Sequence, residues 1–174
     1  FVFSRFSFTS GFKNSVITGR QNVAIGSLND ISDCKTTIIL GTANIAKDSS
    51  ANTIIGTSIT SNQGNLGSFL TGKSHNEAGG QYNTITGNNH SVTSTQETIL
   101  SGKGNSATTT LTSSITGDSN VVNITTNTSV MGKENNVGNT NQSVVAGDEN
   151  TVSFATHSFV MGKENSETSG TGNM

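Results

Sequence analysis

The chain has 174 residues, 30% of them hydrophobic and 11% charged, with a formal net charge of −2 at pH 7. Nine Lys and Arg scattered among eleven Asp and Glu leave no basic patch for a nucleic acid, and no apolar run is long enough for membrane insertion. Low hydrophobicity signals disorder when it accompanies high net charge; here the charge is small and a strict repeat argues for order.

Phe1 stands where an initiator Met would, as expected of a processed or excised chain. Residues 1–13 hold five of the eight phenylalanines, Phe1, Phe3, Phe6, Phe8 and Phe12. They are expected to form an apolar strand that caps the fold or docks on a second subunit. From 14 to 165 glycine sets the frame. Gly26, Gly41, Gly56, Gly72, Gly87, Gly102, Gly117, Gly132, Gly147 and Gly162 lie 15 residues apart, save for one interval of 16 after Gly56. A fixed short period marks a solenoid, each repeat one coil stacked on the last. The expected fold is all-β, a parallel β-solenoid (β-roll) of about ten 15-residue coils. At ~4.8 Å per coil it is a rod of about 50 Å. The absence of Pro suits strands that must donate every N–H to a neighbour.

Within a coil, aliphatic residues stand two before the glycine (Ile39, Ile54, Leu70, Ile85, Leu100, Ile115, Val130) and small polar ones four before it (Asn52, Ser68, Asn83, Thr98, Ser113). On a strand these positions share a face, so the aliphatic column points to the axis. The glycine is expected to turn the corner. Three residues later Asn recurs, at Asn29, Asn44, Asn105, Asn120, Asn135, Asn150 and Asn165. It reads as a second, left-handed corner, with a stacked amide ladder as the alternative. Ile31, Ala46, Val92, Ala107, Val122 and Val137 begin a second inward column, giving two or three inward side chains per coil. Between Gly56 and Gly87 the pattern blurs, with Ile59, His75 and His90 in place of Asn, and an irregular loop or bulge is expected. Cys34 reads as a small packed side chain.

One residue before the glycine stand Ile25, Leu40, Ile55, Met131 and Met161, facing outward; with Ile38, Phe69, Ile99 and Phe159 they form an apolar stripe expected to be a lateral subunit interface. The residue after the glycine alternates in sign through Lys103, Asp118, Lys133, Asp148 and Lys163. This reads as a salt-bridge ladder whose value lies in register. Beside it Glu134, Glu149 and Glu164 read as a solvated column partnered by the lysines rather than a calcium site. Residues 166–174 read as a polar tail.

Chemistry is sparse. His75, His90 and His157 lack metal-ligand spacing and are expected on loops or the surface. No nucleophile elbow, P-loop or dinucleotide fingerprint occurs in its required context. The expectation is therefore no enzyme, with no catalytic residue, metal or cofactor. Thr18, Thr71, Thr86 and Thr116 precede glycines, which raises ice binding as a distant third reading. Four N-glycosylation sequons begin at Asn89, Asn123, Asn127 and Asn141.

The stretch Asn22-Val23-Ala24-Ile25-Gly26, with looser versions at Ser129–Gly132 and Ser143–Gly147, resembles the head repeat of YadA-type trimeric autotransporter adhesins. Similar repeats occur in phage fibre proteins. The resemblance implies a left-handed parallel β-roll, three copies side by side, displayed on a bacterial surface to bind host matrix, cells or glycans. The functional expectation is an extracellular structural subunit, at a cell surface or on a virion appendage, that partners itself as a trimer or filament. A trimeric adhesin head is the alternative.

Overall fold

The computed structural model describes residues 6–169. Among them every regular element is a strand, and the strands form two parallel sheets of eleven. The first sheet runs from Phe8–Phe12 through Val23–Ser27 to Phe159–Lys163, and the second from Ser15–Ile17 to Ser166–Thr168. Each coil contributes one strand to each sheet, paired in register with the next coil, as in the run Ile85, Leu100, Ile115, Val130. The β-solenoid expected from the glycine period is the fold.

A third side closes each coil. Single bridges run Arg20, Lys35, Ser50, Leu66, Gln81, Gln96, Leu111. The ladder then continues through Leu111, Thr126 and Asn141, where the second-sheet strands lengthen to Ser106–Leu111, Val121–Thr126 and Asn136–Asn141. Each junction between sides carries a residue in the left-handed region. In the coil after Gly117 these are Ser119 (φ 57°), Ile124 (φ 51°) and Asn127 (φ 51°). That conformation costs a non-glycine residue roughly 1–2 kcal/mol. Hydrogen bonds to the preceding coil offset it: the Ser119 N–H donates to Lys103 O at 2.9 Å and the Asn127 N–H to Leu111 O at 3.0 Å.

The recurrent glycine is not a corner, contrary to the sequence expectation. Gly117 sits fourth in the strand Ser114–Asp118 at φ +122°, and a Cβ there would fall on the carbonyl oxygen of Gly132 in the next coil. Backbone proximity combined with a positive φ is what demands glycine. The corner lies two residues on.

Five side chains per coil point inward rather than two or three. Around Gly117 they are Ser113, Ile115, Asn120, Val122 and Thr125, all buried. Two of these five columns are largely aliphatic and form one continuous core from Val16 to Val160, with Cys34 packed among them as expected. The other three are largely polar. They are satisfied by hydroxyl pairs such as Thr98–Thr110 (2.9 Å) and Thr128–Thr140 (3.2 Å), and by an asparagine ladder.

The boundaries also differ from the sequence reading. At the N-terminal side the expected strand is Phe8–Phe12, which pairs with Val23–Ser27 and stacks Gly11 on Gly26. Ser166–Thr168 pairs with Thr151–Ser153, which carries the solenoid into the expected tail. The bulge expected between Gly56 and Gly87 reduces to one extra residue at the corner Gln63–Gly64 (φ 60° and 81°). The strands on either side stay paired, Thr60 with Asn76 and Thr53 with Phe69.

Candidate functional site

The inward Asn column is an amide ladder, the alternative weighed for it, and the left-handed residue is the one before. From Asn120 to Asn165 each side-chain amide donates to the Oδ1 of the preceding Asn at 2.9–3.1 Å. The backbone N–H donates to the same oxygen at 2.9–3.0 Å. The amide also reaches forward to the glycine carbonyl of the next coil at 2.8–3.0 Å. Asn14, Asn29 and Asn44 form a shorter ladder of the same kind.

Between the two ladders stand Ile59, His75 and His90. The histidines, expected on loops or the surface, do lie between strands but are buried, at 2% and 1% exposure, and of the three only His157 lies on the surface. Their rings stack with centroids 5.0 Å apart. Each ring keeps two of the bonds of the asparagine it replaces, to the carbonyl four residues back and from the backbone N–H of the next coil. Nε2–H donates to the carbonyl of Thr71 (2.8 Å) or Thr86 (2.9 Å), while Nδ1 accepts the backbone N–H of His90 (3.3 Å) or Asn105 (3.2 Å). An acceptor at Nδ1 fixes both rings as the neutral Nε2–H tautomer. Burial pushes both imidazoles below the ordinary histidine value, against the opposing pull of the carbonyl bonds.

Two residues from His75, Glu77 occupies a position that is aliphatic in most other coils and is fully buried. Its Oε1 accepts from Ser68 Oγ (2.7 Å) and Asn83 Nδ2 (2.9 Å), and its Oε2 from Ser61 Oγ (3.5 Å). Ser61 also receives Asn52 Nδ2 at 3.0 Å and Asn65 Nδ2 at 2.8 Å, while Asn83 reaches Thr95 Oγ1 at 2.7 Å. Gly80 makes room, since a Cβ there would meet the Glu77 carboxylate and the Asn83 amide. Burial raises the Glu77 carboxyl above its ordinary range, only partly countered by those three donors. Glu77 escaped the sequence reading, although its place five residues after Gly72 put it in the inward column.

The outward residues lie where the frame put them, but not as one stripe. Ile25, Leu40 and Ile55 are direct neighbours on the first sheet, followed by Thr71, Thr86, Ser101 and Thr116, then Met131, Ala146 and Met161. Two apolar patches thus flank a hydroxyl stretch, in which only Phe69 and Ile99 of the adjoining column are exposed apolar residues. Phe6, Phe8 and Phe12 point outward, Phe6 at 88% exposure, and the Lys13 ammonium lies 5.0 Å over the Phe12 ring. Phe1 and Phe3 fall outside the described residues.

Lys103, Asp118, Lys133, Asp148 and Lys163 align coil to coil. The ion pairs among the described residues form within coils instead, Lys133–Glu134 at 2.9 Å and Lys163–Glu164 at 3.0 Å. A side chain one residue along reaches more readily than one across ~4.8 Å of sheet. The hydrogen bond and charge of Glu134 raise the Lys133 ammonium, with Asp118 and Glu149 contributing less. Among the described residues no three His, Cys, Asp or Glu side chains come together as a metal-binding group.

No protein-family model matches the chain, and no curated protein matches its sequence. A weak superposition relates it to the polySia-specific acetyltransferase NeuO, at 8% identity and a TM-score of 0.20 over 91% of this chain and 78% of the other. So low a score carries no conclusion about fold or activity.

Proposed function

We propose that this chain is a structural subunit that self-associates into an extracellular fibre or appendage, through the outer face of its first sheet. The observation that carries the reading is the pair of apolar patches on that face. Ile25, Ile38 and Ile55 stand toward one end, and Met131, Phe159 and Met161 toward the other, all exposed. Exposed apolar surface of this extent on a rigid scaffold is stabilised by covering it with another subunit. The hydrogen-bonded ladders supply stiffness, and mechanical continuity is the function. An extracellular location, at a cell surface or on a virion, rests on the likeness of Asn22–Gly26 to surface-protein repeats.

A finite trimeric adhesin head is the second reading. Val23 and Ile25 face outward on either side of the inward Ala24, so the stretch that carries the resemblance lies within the first apolar patch. Size analysis at several concentrations with negative-stain electron microscopy tests both. Open-ended filaments support the fibre, uniform short particles three chains thick support the head, and a monomer at every concentration overturns both.

A further inference from the structure

His75 and His90 interrupt the asparagine column where it would otherwise tie the two halves of the rod together. An asparagine in that column carries no proton to gain near neutral pH. A histidine does. Both nitrogens of each buried ring are committed, and the Nδ1 that would take the proton faces a backbone N–H of the next coil. Protonation there sets donor against donor and places a cation in a buried site, His75 and His90 being 2% and 1% exposed. The stacked partner 5.0 Å away discourages a second charge.

Among the described residues, none nearby offers compensation. The flanking second-sheet strands Thr60–Asn62 and Ser91–Thr93 carry no titratable side chain. On the first sheet, Thr53–Thr57 and Thr84–Asn88 carry none either, and Lys73 and Lys103 are exposed and of the wrong sign. Glu77, on the strand Asn76–Ala78 that follows His75, is the nearest acid in sequence, and its oxygens are held by Ser61, Ser68 and Asn83.

We propose that the stacked His75–His90 pair is an acid-operated seam: protonating either ring cuts its bond to the following coil and opens the solenoid locally between Thr71 and Asn105. The sign follows from linkage. Rings that bind protons less readily when folded than when unfolded contribute full stability above the ordinary histidine value of 6.5 and progressively less as pH falls below it. The coils from Asn105 to Asn165 have no such group in this column and keep their ladder. The inference is independent of what the rod assembles into.

The test is residue-resolved hydrogen exchange at pH 7.5 and 5.0, corrected for intrinsic rates, on wild type and on the double variant His75→Asn/His90→Asn, which restores the residue this column uses elsewhere. The expected result is a loss of protection of about tenfold or more at the His90 and Asn105 amides of the wild type at pH 5.0, one pH unit of linkage being tenfold. Asn120 and Asn135 should hold, and the double variant should lose the acid response. Equal protection at both pH values in the wild type, or the same loss in the double variant, overturns the proposal. Should the double variant not fold, titration of the wild-type imidazole resonances decides. Midpoints below the ordinary value that coincide with the loss of protection support the seam, whereas ordinary midpoints with protection intact refute it.

Discussion

The coils from Asn105 to Asn165 and those from Ile59 to Thr95 share a backbone path and differ in what fills it. In the later coils the inward columns largely repeat one chemistry each: amide on amide, valine on valine, hydroxyl beside hydroxyl until Ala155. In the central coils the same positions hold Ile59, two imidazoles, a serine, a carboxyl and Asn65. The register survives unbroken. The backbone ladder and glycine spacing therefore suffice to set the coil, while the inward polar columns set how each coil responds to its surroundings.

The sharpest way to break the regular half is to attack the element both halves share. Gly117→Val places a β-branched side chain at a positive φ and against the Gly132 backbone. A loss of about 3 kcal/mol or more, or failure to fold, is expected from urea unfolding.

Next in size is Asn135→Leu, which removes the amide that serves Asn120 Oδ1 and the Gly147 carbonyl. It also takes the acceptor from the Asn150 backbone N–H and side-chain amide, and buried donors left unmatched should cost about 2–4 kcal/mol. Ile59→Asn, at the equivalent position of the central region, should change stability far less, because it offers a new partner to Asn44 Oδ1 and the Gly72 carbonyl. Similar losses at the two sites would mean that the ladder is incidental.

Glu77→Gln sharpens the comparison through pH. A carboxyl whose folded value is raised contributes its stability fully below its ordinary 4.5 and loses it as pH climbs toward the folded value. Wild type should therefore exceed the variant most at pH 4 and lose that margin toward pH 7, opposite in sign to the histidine pair. A constant margin in paired melting curves would show that Glu77 does not titrate in the fold. The smallest effect is expected at Lys133→Gln, whose exposed ion pair with Glu134 should leave the melting temperature unchanged within error.

Much of this was legible in the sequence. The glycine period and the aliphatic residue two positions before it led directly to a parallel solenoid, because a strand's alternation makes the inward face explicit. The asparagine column was not decided, since a left-handed corner and an amide ladder share the same period. The residue that does turn the corner varies among Leu28, Ala43, Ser119 and Glu134, and so leaves no trace in composition. The third side was hidden because each coil contributes to it one small inward residue, such as Cys34, Ser49 or Thr110, with too short a run for any alternation. His75 read as a break in the asparagine pattern, and Glu77 drew no reading at all. Placed in the frame three and five residues after Gly72, they are interior positions. Which outward residues meet a partner was not legible, because outward columns owe nothing to the coil's own packing.

Confining the extra residue to the Gln63–Gly64 corner has a consequence for how such a molecule changes size. Straight sides keep their register to the residue, so the coil behaves as an indivisible unit. Removing residues 106–120 would seat Val121 where Ser106 now lies and rejoin Asn105 to the ladder at Asn135. The product is a rod shorter by one spacing, about 4.8 Å, with both sheets intact. Length in this architecture comes in whole steps, a ruler graduated by its own hydrogen bonds.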